Sequence, residues 1–153
     1  MADHIYEASL PKTTTAAAVP IAVIVPGAIG AGIRSPEIRE IGVFNVTGIA
    51  AEISLGIPAA AGVTATTSML VQALNQTDPA GHTTLVTVHT TPATAPANRY
   101  RRAELQAVVG AGVIWTWAPG EWILWSGATV NQVVIFQESA LAVGYDVYIK
   151  IAE

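Results

Sequence analysis

The feature that most limits the fold of this chain is a strict alternation of apolar residues with small or polar ones. Apolar side chains occupy every odd position of residues 49–57 and of residues 143–151. Because successive side chains of a strand point to opposite faces, this period of two predicts β-strands with one buried face. Residues 39–47 and 83–90 alternate as well, so the pattern indicates a fold built from strands.

Turn signals divide these strands from one another. Residues 118–121 read Ala-Pro-Gly-Glu, which suits a type II turn with Pro at its second position and a positive-φ Gly at its third. We expect residues 39–47 and 49–57 to form a hairpin through Thr47 and Gly48. Residues 65–75 fit either a helix or a Thr-rich strand. We favour the strand because a helix there would have no polar face.

The count is eight to ten short strands with at most one short helix, arranged in a single domain. Residues 1–33 are expected to be an N-terminal arm and an edge strand that is broken near Pro20, since a strand accepts proline chiefly at an edge or a bulge. Residues 34–153 are expected to form an all-β, antiparallel β-sandwich that is jelly-roll-like. Within them, residues 91–98 predict a loop and residues 105–109 the start of the next strands. An immunoglobulin-like sandwich is the second choice, although the chain has no cysteine pair.

The composition indicates a surface that is covered by other subunits. Charged residues make up 12% of the chain, which is about half the usual share. Hydrophobic residues make up 52%, which is slightly above the usual share. A soluble monomer normally needs more charge and only small apolar patches, so we expect a homo-oligomer. The alternative is that Ala, Gly and Thr raise the mean hydropathy without creating large apolar patches.

Several partner classes do not fit the sequence. A net charge of −4 with seven basic residues argues against nucleic acid, which is bound mainly through Lys and Arg. The cluster Arg99, Arg101 and Arg102 predicts a solvated loop or an ion-pairing patch at a subunit contact. The uncharged residues 13–33 are interrupted by Pro and Gly, so they do not predict a membrane helix, and the acidic start of the chain does not predict a secretory signal.

Catalytic and cofactor motifs were sought without success. Nucleophile-elbow, zinc-protease and phosphate-loop patterns do not occur, and the chain contains no cysteine. Asp78, His82 and His89 could be imagined around a metal ion. His82 and His89 are seven residues apart, however, which separates them by roughly 23 Å along one strand at about 3.3 Å per residue, so only a chain reversal could bring them together. We therefore expect no enzyme activity, no cofactor and no metal site.

The four tryptophans are the most informative large residues. Trp115 and Trp117 are two apart and share one face of a strand, whereas Trp122 and Trp125 are three apart and point to opposite faces. Indoles of this kind lie in a core or a subunit contact, which is the interpretation we favour. The alternative is that an exposed indole stacks on sugar rings.

Three blocks of sequence resemble small β-sandwich proteins of tailed-phage virions. They are residues 38–48, residues 50–56, and residues 112–153 with the Trp-Ala-Pro-Gly-Glu-Trp turn and the closing Tyr-Asp-Val-Tyr-Ile-Lys-Ile strand. In those proteins a strand leading into an Asn-Thr turn pairs with an Ala-rich strand, and a late hairpin precedes a terminal strand. The similarity covers about two thirds of the chain, leaves out residues 1–33 and transfers no catalytic residue.

The resemblance implies a structural virion protein, typically a trimeric capsid decoration or cement protein on the capsid exterior. Such a protein is made in the host cytoplasm and binds the major capsid protein. The alternative is a tail or fibre module that binds host glycans through Trp122 or Trp125. The candidate subunit or capsid contacts are Ile5, Tyr6, Val23, Arg99, Arg101, Arg102, Trp122 and Trp125.

Overall fold

A computed structural model describes residues 4–14, 17–27, 35–58, 64–91, 94–122 and 132–153. Within these residues there are eleven strands and no helix. Every hydrogen-bonded pair of strands is antiparallel. The strands are β1 (Ile5–Thr13), β2 (Val19–Val25), β3 (Glu37–Asn45), β4 (Ala51–Pro58), β5 (Thr64–Leu70), β6 (Gln72–Ala73), β7 (Thr84–Thr91), β8 (Pro96–Leu105), β9 (Gly112–Thr116), β10 (Val133–Gln137) and β11 (Gly144–Ala152).

The strands form two sheets, in the orders β6-β1-β11-β3-β9 and β5-β7-β2-β10-β4-β8. If β5, β6 and β7 are set aside, β1 pairs with β11, β2 with β10, β3 with β9 and β4 with β8. That is the pairing of one long hairpin rolled up into two sheets, which defines a jelly roll. The expected all-β, antiparallel, jelly-roll-like sandwich is confirmed.

Strands β5, β6 and β7 form an insertion that widens both sheets on the same side. β7 pairs with β2, β5 pairs with β7, and β6 pairs with β1. Within residues 65–75, β5 and β6 confirm the favoured strand over a helix, and β7 confirms the strand expected at residues 83–90. The described part of the chain contains one strand more than the predicted eight to ten.

The core lies between the sheets and follows the alternation seen in the sequence. In β11 the side chains of Tyr145, Val147, Ile149 and Ile151 are buried, whereas Asp146 is exposed. β4 contributes its odd-numbered Ala51, Ile53 and Leu55 in the same way. Burial of this apolar surface is the main favourable contribution to folding. No helix that is long and apolar enough to cross a membrane occurs in the part of the chain that the structure describes.

The predicted hairpin of β3 and β4 is wrong, because the two strands belong to different sheets. β3 pairs with β11 and β9, and β4 pairs with β10 and β8. The turn between them bends the chain from one sheet to the other around the buried side chain of Asn45. Period-two alternation predicts a strand but carries no information on its partner.

The N-terminal residues are part of the sandwich over their described length. β1 lies between β6 and β11 and pairs with β11 along nine residues. β2 lies between β7 and β10, so it is not an edge strand. The irregularity expected at Pro20 is present as a register shift opposite Phe136, beyond the residues that pair with β7. A missing N–H is tolerated at such a position.

Residues 96–105 form β8, where the sequence predicted the end of a loop. The physical reason is that β8 is the outermost strand of its sheet and exposes most of its side chains to water. Charged side chains are common on such edges because they discourage pairing with other chains. Residues 105–109 are expected to begin a strand, but Leu105 ends β8 and residues 106–111 form the loop that leads from β8 to β9.

Candidate functional site

One end of the sandwich presents an apolar surface. The loops there include residues 46–50, 106–111 and 138–143, and the one charged residue in these three loops is Glu138, which pairs with Arg99. Large aliphatic side chains are exposed on all three loops, and Val109 reaches 67% exposure. We call this surface the loop end and define it by Val46, Ile49, Val108, Val109 and Leu141.

The side chain of Asn45 holds two of these loops in place from inside. Its Nδ2 donates to the backbone oxygens of Ile49, at 2.6 Å, and Gln106, at 3.2 Å. Its Oδ1 accepts from the backbone nitrogens of Thr47 and Gly48, both at 3.0 Å. Asn45 is fully buried, so its amide replaces water as the partner of these backbone groups.

A second buried amide, Gln137, fixes the loop between β10 and β11. Its Nε2 donates to the backbone oxygens of Ser139 and Leu141, both at 2.6 Å. Its Oε1 accepts from the hydroxyls of Thr14, at 2.8 Å, and Tyr145, at 2.7 Å. Burial raises the pKa of Tyr145 well above its usual value, so its hydroxyl remains a donor. The network joins both sheets directly beneath Leu141.

A cleft lined by aromatic side chains lies away from the loop end. Its volume is about 470 Å³, and we define this aromatic cleft by Tyr100, Arg101, Trp117, Glu121 and Trp122. The ring centroids of Trp117 and Trp122 are 4.9 Å apart at an interplanar angle of 75°. Those of Tyr100 and Trp122 are 5.6 Å apart at 68°. Edge-to-face contacts of this kind are favourable and give the rings a preferred orientation.

Backbone features of two edge strands bring these residues together. In β8, Arg99 and Arg101 oppose adjacent residues of β4, so that Tyr100 is an extra residue at a β-bulge. A bulge redirects side chains, and both Tyr100 and Arg101 line the cleft. After β9, the backbone nitrogen of Trp117 donates to Arg39 and the oxygen of Trp122 accepts from Ile38.

The turn at residues 118–121 supplies the rim of the cleft. The backbone nitrogen of Glu121 donates to the oxygen of Ala118, and Gly120 has a φ of 81°, which confirms the predicted type II turn. The Glu121 carboxylate accepts from the Ala118 nitrogen at 2.7 Å. The Gly120 nitrogen donates to the buried Glu37 at 3.0 Å. The rim is therefore held in one conformation.

The three clustered arginines have different partners. Arg99 makes a two-pronged contact with Glu138, at 2.5 and 2.9 Å, and these hydrogen bonds hold the pKa of Glu138 below its usual range. Arg102 pairs with Glu52. The Arg101 guanidinium lies 5.9 Å from the centre of the Trp117 ring, within reach of a cation–π interaction.

The structure separates the candidate contact residues. Tyr6 and Val23 are 2% and 0% exposed, so they are buried within the protein's own fold and offer almost no surface to a partner. Ile5 is half-buried in β1. Arg101 and Trp122 meet at the aromatic cleft. Trp125 lies outside the described residues.

Sequence reasoning missed Asn45, Gln137 and Tyr100 as organising residues. A buried amide looks like any polar residue beside a turn until the loops around it are assembled. Tyr100 reaches the cleft through a bulge that has no sequence signal. Trp115 and Trp117 share a face as expected, since Trp115 belongs to the main core and Trp117 packs against it.

The imagined metal site is not assembled by the side chains that the structure describes. Asp78 instead pairs with His4, with 2.9 Å between the Asp78 Oδ1 and the His4 Nδ1. The described residues contain no group of three or more His, Cys, Asp or Glu side chains that could hold a metal ion. The side chain of His89 is outside the described part.

Comparison with known proteins gives no relative. No protein-family model matches the chain, and neither a curated protein nor a solved structure is significantly similar to it. Function must therefore be argued from the loop end and the aromatic cleft themselves.

Proposed function

We propose that this chain is a structural, non-enzymatic protein of a tailed-phage virion that stabilises the capsid as a cement protein. It acts as a homo-oligomer, taken here as a trimer, on the exterior of the capsid and binds the major capsid protein. The observation that carries the proposal is the loop end, where loops with almost no charge expose Val108, Val109 and Leu141 on a backbone held by buried amides.

The loop end has the chemistry of a protein contact. Five of the eleven exposed large apolar side chains in the described residues lie on its loops. Fully burying a Val, Leu or Ile side chain contributes about 1.5–3 kcal/mol, and partly exposed ones contribute proportionally less. Apolar patches on a protein surface commonly mark protein–protein contacts.

The rigidity of the loops increases the benefit of that contact. Ordering mobile loops on binding would cost free energy, but the bonds from Asn45 and Gln137 hold the loops in place beforehand. A surface that is already ordered keeps more of the free energy gained from apolar burial, because its loops need little further ordering on binding. This suits a protein that must remain attached to a shell.

The resemblance to phage β-sandwich proteins and the low charge of the chain support the choice of a virion over other assemblies. Edge strands supply a second means of association, since an unpaired edge can accept a strand from a neighbour. β9 is such an edge in the first sheet. Its position beside the loop that carries Val108 and Val109 makes the two surfaces continuous.

The test is attachment to virions that were assembled without this protein. We expect the double variant Val108→Ser with Val109→Ser to bind such particles at least about ten-fold more weakly, as the loss of about 1.4 kcal/mol would give. The control is Leu74→Ser, which removes an apolar side chain of similar exposure beside Ile5 at the start of β1, at the opposite end of the sandwich from the loop end. Co-sedimentation and the melting temperature of the particles report attachment and cementing.

Equal attachment of the double variant and the wild type would overturn the role of the loop end. Absence of wild-type binding to any capsid surface would overturn the cement function itself. Light scattering of the purified protein measures the oligomer, and a stable monomer bound to particles would contradict the trimer while leaving cementing in place.

A further inference from the structure

The aromatic cleft has the features of a ligand site that cementing does not use. It lies at the far end of β9 from the loop end, because β9 runs from Gly112, beside Phe44, to Thr116 next to Trp117. Five residues along a strand correspond to roughly 17 Å at about 3.4 Å per residue. Its volume of about 470 Å³ falls in the range of small-molecule sites.

The walls of the cleft suit a ligand with a flat apolar face. Tyr100 is 47% exposed, and Trp117 and Trp122 are half-buried with their rings held edge to face. The ring planes therefore form a corner and do not fill the cleft by stacking on each other. A corner of aromatic rings can accept the C–H face of a pyranose.

The rim of the cleft suits the hydroxyl groups of the same ligand. The Glu121 carboxylate is an acceptor and the Arg101 guanidinium a multiple donor, and both line the cleft. Bonds to the Ala118 nitrogen and to the Tyr100 oxygen hold these two side chains near their positions. A carboxylate and a guanidinium together leave the rim without net charge, which favours a neutral ligand over an acidic one.

We propose that the aromatic cleft binds a neutral, hydroxyl-rich glycan by placing Tyr100 and Trp122 against the apolar face of one pyranose. Glu121 and Arg101 hydrogen-bond its hydroxyls. The protein would then carry two functions at separate places, attachment to the shell at the loop end and contact with a carbohydrate at the cleft. The net charge of −4 disfavours a nucleic-acid base as the stacking ligand.

The experiment is a titration of the purified full chain with methyl glycosides of glucose, galactose and N-acetylglucosamine, and with sialic acid as the acidic arm. Indole N–H signals in nuclear magnetic resonance spectra report the two cleft tryptophans directly. A ligand this small should bind with a dissociation constant on the order of 1 mM. We expect a neutral pyranose to shift the cleft signals and sialic acid to shift them less.

Variants locate the site. Tyr100→Ala should weaken sugar binding by about ten-fold, Tyr100→Phe should retain it, and Glu121→Gln should weaken it with little effect on folding. Ile114→Ala is the matched control, since it is equally exposed but does not line the cleft. Because Tyr100 and Glu121 are both exposed, these variants should keep the wild-type spectrum outside the cleft.

The proposal would be overturned if no neutral sugar shifted the cleft signals or if only sialic acid bound. It would also be overturned if binding survived both Tyr100→Ala and Glu121→Gln. Loss of the oligomer in Tyr100→Ala would overturn it as well, because the cleft would then be a subunit contact. Loss of sugar binding in Tyr100→Ala with attachment to virions unchanged would support it and would leave the cement function standing.

Discussion

At the loop end, polar side chains lie inside and apolar side chains outside, whereas at the aromatic cleft the rings form the walls and the charged groups the rim. The buried amides of Asn45 and Gln137 fasten the loops, and the exposed face is aliphatic. In the cleft the rings fasten one another, and Glu121 and Arg101 remain available to a ligand. The same fold thus builds a surface for apolar contact and a surface for mixed contact.

Amino-acid composition is therefore a poor guide to the kind of contact that each surface can make. A count of apolar residues alone would place the loop end and the aromatic cleft in one class. The difference lies in what fixes the backbone, because buried hydrogen bonds are directional and demand one geometry, whereas edge-to-face rings tolerate small adjustments. We therefore expect a single substitution to disrupt the backbone conformation of the loop end abruptly, whereas substitutions at the cleft should change its geometry gradually.

The largest effect is expected at Asn45. Asn45→Ala leaves several partly buried backbone groups of two loops without their partner, and should lower the free energy of unfolding by about 3 kcal/mol. Urea denaturation measures the loss. Asn98→Ala, at an exposed position of β8, is the control and should change little. A loss at Asn45 no larger than at Asn98 would contradict a hydrogen-bonded loop end.

A smaller effect is expected at Trp117. Trp117→Ala removes a half-buried ring that packs against the core and against Trp122, so it should cost about 2 kcal/mol by the same measurement. Trp117→Phe keeps most of the apolar contact and should cost less than half as much. If the two variants were equally destabilised, the ring contacts would not be what holds the cleft together.

One glycine at the loop end and one at the aromatic cleft allow both regions to be destabilised by a similar amount. Gly110 and Gly120 have φ values of 87° and 81°, and both have free space where a side chain would begin. Alanine at either position should cost about 1 kcal/mol, because L-residues disfavour positive φ. The functional losses should differ, with Gly110→Ala weakening attachment to virions and Gly120→Ala weakening sugar binding. The reverse pattern would exchange the proposed roles.

The smallest effect is expected from loss of the Arg99–Glu138 ion pair at low pH. The Arg99 hydrogen bonds lower the pKa of Glu138 in the folded state, so this contact stabilises the protein fully above the unfolded pKa of 4.5, and the stabilisation is lost as the pH falls through the lower folded pKa. Glu138→Gln should lower the melting temperature at neutral pH by about 1–2 °C, as expected of a partly exposed ion pair. The difference from wild type should vanish once the pH is below the folded pKa. A difference that persists there would assign the effect to packing.

Much of the fold follows from short-range pattern. The alternation in β4, β7 and β11 correctly predicts strands, although only β11 is buried mainly on one face, and a Pro-Gly pair at 119–120 dictates its own turn. These features depend on neighbouring residues only, so a single sequence reveals them. The identity of the fold as a two-layer sandwich follows from the number and length of the strands.

What could not be predicted depends on distant partners. The sequence placed β3 and β4 in one hairpin because a Gly-containing turn joins them, but Asn45 bonds to Gln106, which lies 61 residues later. The sequence predicts a solvated loop or an ion-pairing patch for Arg99, Arg101 and Arg102, since nothing local shows that β8 is an edge strand with a bulge. The cleft combines β8 with the segment after β9, so only the assembled sheets reveal it.

The pairing of β1 with β11 has a consequence for synthesis of the protein. β1 is paired with β11 along nine residues, from Ile5 opposite Ala152 to Thr13 opposite Gly144. A ribosome adds about 5–20 residues per second, so roughly ten seconds separate the emergence of the two strands. During that interval the chain cannot complete its first sheet, and the neighbours that bury Tyr6 are not all present. Slowing translation late in the message should therefore increase aggregation of this protein more than slowing it early.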